Sequence, residues 1–286
     1  MAFIIAVSDL HGNEDKYRKL FKLIMDEKPD FVFIGGDILP FSHSINNIHL
    51  LRERGFINRF LRPSVEELKG LTAKFPEIFI ILGNDDPAVQ APFLNEGESE
   101  RLWHYMHNKK RHFLGFDIYG YNFVPPTPFA LKDWERYDVS RYADPGCVAP
   151  TEGRRSVHRT HYEMEYTTIS EDLDRLAGES PQDSSIWLFH SPPYETMLDR
   201  AALDNKHIDH VPVDVHVGSI AIRRFIDRRQ PFLTFHGHVH ESTRLTGSYH
   251  HRLGNTLSFQ AASEGDNFHA VIIDTTAPEN HKLLKI

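Results

Sequence analysis

Seven side chains that can ligate metal ions occur in five short segments of the 286-residue chain. They are Asp9, His11, Asp37, Asn84, His190, His238 and His240. Three of them offer an oxygen atom and four offer an imidazole nitrogen, and one carboxylate is available to bridge two cations. This donor set favours a site for two divalent transition-metal ions. A hydrolytic metalloenzyme is therefore the first hypothesis.

The spacing of the oxygen donors supports a shared site. Asp9 and His11 are two residues apart, so in an extended segment their side chains point the same way. Asp37 follows two glycines and Asn84 follows one, and glycine allows a close approach of the backbone. Three acidic or amide side chains at three successive strand ends are hard to attribute to chance.

The histidine-rich segment is the most specific element. His238 and His240 are two apart after Gly237, a spacing that suits two adjacent ions, each with one imidazole ligand. A histidine-rich loop among 19 histidines can also be a solvent-exposed loop. The order of all five segments favours metal binding.

Apolar runs precede the ligand segments and predict the strands that position them. Residues 3–7, a helix over 14–25 and residues 31–34 form a βαβ unit, which implies parallel strands and a right-handed crossover. Further strands are predicted at 78–82, 112–118, 119–124, 185–189, 231–235, 256–261 and 268–273, the last two as antiparallel strands. Further helices are predicted at 42–61, from a capping box at Ser64 toward Phe75, from a capping box at Thr168 to Ala177, and at 219–229.

Composition indicates a globular enzyme. A chain with 40% hydrophobic and 12% aromatic residues can bury a large core, here as one domain over 1–286. The net charge of −8 argues against a general affinity for nucleic acid. The apolar start is too short for a membrane span, and the single Cys147 fits a reducing compartment, so a cytoplasmic location is expected.

The order Asp-x-His, Gly-Asp, Gly-Asn, His and Gly-His-x-His, from Asp9 to His240, resembles the calcineurin-like metallophosphoesterase superfamily. The segments that begin at His190 and Gly237 look most like its small prokaryotic, phosphodiesterase-type members. The resemblance implies an α/β (α+β) fold, a four-layer αββα sandwich of two mixed β-sheets flanked by helices.

The resemblance also implies two ligand sets. One ion would be held by Asp9, His11, Asp37 and His240, and the other by Asp37, Asn84, His190 and His238. Mn, Fe, Zn, Ni and Co all suit these ligands. A hydroxide that bridges the two ions would attack a small phosphate ester, with Asp37, Asn84, Asp85 and His190 as the catalytic residues.

Asp85 departs from the family pattern, in which a histidine commonly follows the asparagine. A carboxylate beside two metals is a poor acid and repels a phosphate dianion, so a phosphodiester is the expected substrate. Asp85 can instead point away and brace His11 or a loop. The alternatives are a phosphomonoesterase, including a protein phosphatase, and a non-catalytic interaction protein on the same fold.

Residues 125–166 have no clear periodicity and contain five prolines. A long irregular stretch inside a compact domain is usually functional or mobile. This insertion is expected to be either a cap over the active site or a surface decoration.

Overall fold

A computed structural model describes residues 1–40 and 55–286. The helix predicted over 42–61 therefore lies largely outside the described residues. Its last part is a π-helical turn, Ile57–Leu61, that continues into the next α-helix.

The strands of the first sheet are β1 (Phe3–Val7), β2 (Phe31–Gly35), β3 (Glu77–Ile81) and β4 (His104–Tyr105). Those of the second are β5 (Lys109–Phe113), β6 (Phe116–Tyr121), β7 (Ser185–Phe189), β10 (Leu233–His236), β11 (His250–Leu253) and β12 (Thr256–Gln260). The hairpin strands β8 (His207–Ile208) and β9 (Val211–Pro212) pair with each other, and β13 (His269–Asp274) and β14 (Lys282–Lys285) join the first sheet. The α-helices are α1 (Glu14–Glu27), α2 (Arg62–Leu71), α3 (Ala91–Ser99), α4 (His161–Glu165), α5 (Ile169–Ala177), α6 (Ile220–Arg229) and α7 (Ser242–Thr246).

Both sheets are mixed. The first has the strand order β14-β13-β1-β2-β3-β4, with β1 parallel to β2 and antiparallel to β13. The second has the order β11-β12-β10-β7-β6-β5. There β12 is antiparallel to β11 but parallel to β10, so the prediction of purely antiparallel strands at this end was wrong for β12.

The two sheets pack face to face through an apolar core. Ile4, Phe33 and Phe79 of the first sheet belong to the same buried cluster as Leu188 and Phe235 of the second. The rings of Phe33 and Phe235 lie 5.2 Å apart. Burial of such side chains contributes about 1.5–3 kcal/mol each, so the contact between the sheets fixes where their strand ends meet.

Helices cover the outer faces. Tyr17, Leu20 and Ile24 of α1 are buried in the same cluster as Ile5 and Val7 of β1. On the second sheet, Phe225 of α6 packs edge-on against Trp187 of β7 at 4.7 Å. The architecture is therefore two mixed sheets flanked by helices, and this part of the sequence prediction is confirmed.

Of the two helix starts that capping boxes predicted, one is correct and one is not. Thr168 caps α5, because its hydroxyl accepts the backbone N–H of Glu171 at 3.2 Å and completes the predicted capping box. Ser64 does not start a helix. α2 begins at Arg62 and continues the π-helical turn, so the N–H groups near Ser64 already have helical partners.

The strand bounds predicted at 112–118 and 119–124 were also wrong. The chain reverses at Leu114 and Gly115, both with positive φ, so the strands are β5 and β6. Gly120 lies inside β6, where a Cβ would approach the Met106 Cβ to 2.4 Å. This glycine is required by packing and not by a turn.

The insertion is tied to α6 by the half-buried carboxylate of Asp138. Asp138 accepts hydrogen bonds from the hydroxyl of Ser219 at 2.5 Å and the backbone N–H of Ile220 at 2.7 Å, at the start of α6. Burial raises the pKa of Asp138 to about 6, against the hydrogen bonds that lower it. The ionised form is therefore less favourable in the folded chain than in the unfolded one.

This raised pKa predicts a pH dependence of stability. A folded-state pKa above the unfolded value gives stability that is fully present below about pH 4 and lost as pH rises through about 6. The unfolding free energy of the native chain, relative to Asp138→Asn, should fall by about 2 kcal/mol between pH 4.5 and 7. Urea unfolding of both proteins across this range measures it. A difference that is constant with pH would contradict the assignment.

Candidate metal centre

The predicted ligands lie at one edge of the two sheets. In the parallel register Val7 pairs with Ile34 and Gly35 pairs with Ile81, so the segments after β1, β2 and β3 leave the first sheet at the same edge. In the second sheet β7 and β10 are parallel neighbours and deliver His190 and the segment that begins at Gly237.

Four of the predicted ligands form a compact cluster. One donor atom each of Asp9, His11, Asp37 and His240 lies within 4.8 Å of all the others. The Nε2 atom of His240 is 2.9 Å from Oδ1 of Asp9 and 3.2 Å from Nε2 of His11. Two carboxylates and two imidazoles at this spacing match the ligand preference of a divalent transition ion.

Three further predicted ligands lie together around His190, which contacts Asp37. Nε2 of His190 is 3.1 Å from Oδ1 of Asn84 and 3.3 Å from Oδ2 of Asp37. The rings of His190 and His238 lie 5.3 Å apart, edge to face. The structure thus brings all seven residues together, with Asp37 between the two groups.

The His190 ring is oriented by the backbone. Its Nδ1 is 2.8 Å from the carbonyl oxygen of Gly35, which can only accept, so Nδ1 carries the proton. In the neutral ring that would bind a metal ion, the lone pair of Nε2 would face Asp37 and Asn84. Such a hydrogen bond behind a histidine is the usual arrangement for a metal ligand.

The backbone at the centre is held in an unusual conformation. Asp9, His11, Asp37 and His238 all have positive φ, at 57°, 45°, 49° and 71°. Non-glycine residues in this region cost about 1–3 kcal/mol each, and they persist at functional sites where surrounding contacts impose them. Here the backbone N–H of His11 donates to the carbonyl of Asp37 at 2.8 Å, which links two of the strained segments.

Gly83 is required by the approach of two ligands. A Cβ at this position would lie 2.2 Å from Oδ1 of Asp37 and 2.5 Å from Nε2 of His190. Any larger residue would push the second group of ligands apart. The Gly-Asn pattern therefore reflects packing of the centre as well as the amide ligand.

Charges within the cluster balance in pairs. Burial lowers the pKa of His190, but the charges of Asp37 and Asp9 outweigh it and raise that pKa to about 10. Burial also lowers the pKa of His240, but the charge of Asp9 outweighs it and raises that pKa to about 9. Burial lowers the pKa of His238 to about 4. Protons on two imidazoles thus offset two carboxylates, and binding of cations at these nitrogens would displace those protons.

Asp85 lies beside Asn84. Its backbone N–H donates to Oδ1 of Asp37 at 2.9 Å, and its Oδ1 accepts the Asn84 side-chain N–H at 3.0 Å. The second bond fixes the amide so that its oxygen faces His190. Burial and the charge of Asp37 raise the pKa of Asp85 to about 7, and cations at the neighbouring ligands would favour its ionised form.

Asp86 is a structural element of the site that the sequence analysis missed. Its buried carboxylate accepts the backbone N–H groups of Gly83 at 2.9 Å, Ile38 at 3.0 Å and Leu39 at 2.8 Å. It joins the segment that carries Asp37 to the segment that carries Asn84. Its position two residues after the predicted amide ligand is the one signal in the sequence that points to it.

The insertion packs against the segment that follows Asp86. The buried carboxylate of Asp133 accepts the backbone N–H groups of Ala88 at 2.8 Å and Ser156 at 2.9 Å, and the Ser156 hydroxyl accepts that of Val89 at 3.0 Å. The insertion thus borders the Asn84 side of the centre. Its internal core includes Lys132, which pairs with Glu135.

Residues 4–242 match the model of the calcineurin-like phosphoesterase family. No curated protein matches the chain. One solved structure is 18% identical in sequence with a TM-score of 0.63, and the match covers 100% of this chain and 99% of the chain in that structure. The protein TT1561 of Thermus thermophilus is 16% identical with a TM-score of 0.57, over 100% of this chain and 98% of that one. At these identities the two structures show a shared fold.

Helices in the described ranges are all too short or too polar to cross a lipid bilayer.

Proposed function

Because the chain belongs to the calcineurin-like phosphoesterase family, we propose that it is a phosphodiesterase with two metal ions, built as one domain over residues 1–286. The convergence of the seven predicted ligands around Asp37 is the observation that carries this proposal. The family model supports a phosphoric ester hydrolase, and the preference for a diester rests on residues of this chain.

Two groups of residues would hold the ions. Asp9, His11, Asp37 and His240 fit one ion, and Asp37, Asn84, His190 and His238 fit the other. Divalent Mn, Fe, Zn, Ni or Co would activate a water molecule and neutralise the phosphoryl oxygens. Asp37 would serve both ions, and hydrogen bonds to Gly35 and Asp85 support the positions of His190 and Asn84.

Asp85 supports a diester substrate. Its carboxylate occupies the place next to Asn84, and it adds negative charge where a phosphate would bind. A phosphomonoester dianion is repelled more strongly than a diester monoanion, because the Coulomb energy scales with the charge. Asp85 also provides no proton for a leaving group when it is ionised. Its carboxylate accepts a hydrogen bond from Asn84, which favours a role of Asp85 at the centre.

A small phosphate ester is the proposed substrate, and a cytoplasmic location remains part of the proposal. An interaction protein without catalysis is less well supported, because no ligand position has been replaced. Metal analysis separates these functions, since an interaction protein would bind less than one transition ion per chain after reconstitution.

Asp85→His tests the diester preference. Native protein reconstituted with metal should hydrolyse bis(p-nitrophenyl) phosphate faster than p-nitrophenyl phosphate. Removal of one negative charge in Asp85→His should shift the monoester-to-diester ratio of kcat/KM about 10-fold toward the monoester, which corresponds to about 1.4 kcal/mol. Kinetics of both substrates on one preparation measure this ratio, with Asp37→Asn as the blank.

Two results would contradict the proposal. Failure of the metal-loaded protein to hydrolyse either ester or a panel of cyclic nucleotides would exclude the phosphodiesterase. A native preference for the monoester that Asp85→His leaves unchanged would favour a phosphomonoesterase, including a protein phosphatase. Asp85→Asn serves as the matched variant, because it removes the charge without adding an imidazole.

A further inference from the structure

A cavity of about 400 Å³ lies against the metal centre on the His240 side. Arg244, Glu264, Asn267, His269 and Lys285 line it together with His240 itself. The volume lies within the range of about 300–1,000 Å³ that is usual for sites of small ligands. The cavity therefore has both the size and the position of a substrate subsite.

The strand register places this cavity at the edge of the sheets where the predicted metal ligands lie. β13 runs antiparallel to β1, and Ala6 pairs with Val271, so His269 lies level with the residue that precedes Asp9. The loop between β12 and β13 is further fixed by Lys16, whose Nζ donates to Ser263 Oγ at 3.2 Å. The cavity is thus built from the C-terminal strands but opens beside the first ligand cluster.

Among the described residues, one cation that lines the cavity belongs to no ion pair. Arg244 and Glu264 neutralise each other through hydrogen bonds of 2.8 and 3.0 Å. Lys285 has no ion pair and Asn267 no side-chain hydrogen bond within residues 1–40 and 55–286. An ammonium group and an amide that are not used within the protein are available to a ligand.

His269 adds a hydrogen-bond acceptor. Burial lowers the pKa of His269, which favours the neutral ring. Its Nδ1 is 3.2 Å from the carbonyl oxygen of Ala262, so Nδ1 donates and Nε2 is left as an acceptor. A donor cation, an amide and an imidazole acceptor match a group that offers hydroxyl donors and polar acceptors, such as a sugar.

The opposite side of the centre is less suited to such a group. Asp85 adds a carboxylate there, and the insertion is fastened to the segment at Ala88 and Val89. A substrate held by its phosphate at the metal centre would meet the polar cavity and the ammonium group of Lys285 on the His240 side. The two sides therefore differ in charge.

We propose that the cavity holds the sugar-type substituent of a phosphodiester, as in a nucleotide ester, while the phosphate lies at the metal centre. This inference rests on the proposed phosphodiesterase activity and names its substrate class. Lys285 and Asn267 would contact the bound substituent, and Lys285 would also attract the negatively charged substrate. They determine specificity and take no part in bond cleavage.

Two esters with the same leaving group isolate the cavity. Methyl p-nitrophenyl phosphate and thymidine 5′-(p-nitrophenyl phosphate) both release p-nitrophenolate, and they differ only in the retained group. In Lys285→Met the ratio of kcat/KM, nucleoside ester over methyl ester, should fall about 10-fold, as expected for loss of one charge-assisted hydrogen bond. Asn267→Leu should lower the same ratio.

Lys282→Met is the matched control, because Lys282 lies on the same strand, is exposed and does not line the cavity. It should keep the native ratio. Calorimetric titration with thymidine 5′-monophosphate provides a second readout, with weaker binding expected in Lys285→Met than in Lys282→Met.

The outcomes separate this inference from the proposed function. Equal ratios and equal affinities in both lysine variants and Asn267→Leu would overturn the assignment of the cavity even in an active phosphodiesterase. If neither ester is hydrolysed, the phosphodiesterase proposal fails. The calorimetric comparison then still decides whether the cavity binds a nucleotide.

Discussion

Replacing Asp37 with asparagine is expected to lower kcat/KM for a phosphodiester by more than about 100-fold and to reduce the amount of bound metal. Loss of an outer partner of a metal ligand costs about 10- to 100-fold, so loss of a ligand that serves both proposed ions should cost more. Asp37 is 2% exposed, and its carboxylate is 3.3 Å from His190 Nε2. Asparagine keeps the size but removes the charge and one oxygen.

Metal analysis and kinetics on the same preparation measure both effects. Asp26→Asn is the control, because Asp26 is exposed on α1 and the same substitution there leaves the centre intact. Circular dichroism establishes that Asp37→Asn is folded. A folded Asp37→Asn that retains two ions per chain and the native rate would show that Asp37 does not bridge.

The edge at which the ligands meet was predictable because it depends on short-range patterns. β2 and β3 are apolar runs, each followed by a glycine and a polar donor, and β1 is an apolar run followed by a polar donor. The parallel register then brings these donors together. The βαβ connection from β1 to β2 and the capping box at Thr168 are local in the same sense. Each involves residues within one or two elements.

The conformation of the ligands was not predictable from the same patterns. Positive φ at Asp9, Asp37 and His238 is imposed by contacts between separate segments, and these residue types do not require it. The two oxygens of Asp9 each accept the backbone N–H of His238 at 3.2 Å, across 229 positions of the chain. A contact of this kind leaves no periodic signal.

The insertion and the cavity illustrate the same limit. Asp133 holds the insertion through backbone N–H groups, which every residue except proline possesses, so the sequence does not mark its partners. The cavity needs β13 to pair with β1 and β14 to pair with β13, and the antiparallel pairing of β1 with β13 joins residues from opposite ends of the sequence. Charges at Arg244 and Lys285 look like ordinary surface charges until the fold places them beside His240.

Removing the Asp86 carboxylate should disrupt the centre although Asp86 is outside both ligand sets. In Asp86→Ala the buried N–H groups of Gly83, Ile38 and Leu39 lose their acceptor. Each unsatisfied group costs about 1–3 kcal/mol, so the unfolding free energy should fall by about 3 kcal/mol or more. Because these groups flank Asp37 and Asn84, metal affinity should fall about 10- to 100-fold.

Asp86→Asn keeps the volume and one acceptor oxygen, so it remains a folded test of positioning if the alanine variant does not fold. Its amide nitrogen would face a backbone N–H, and this should displace the segments that carry Asp37 and Asn84. We expect weaker metal binding and a lower kcat, while the unfolding free energy falls less than in Asp86→Ala. Titration with metal and urea unfolding separate the two effects. If folded Asp86→Asn binds metal as tightly as the native protein, Asp86 stabilises the fold but does not position the metal ligands.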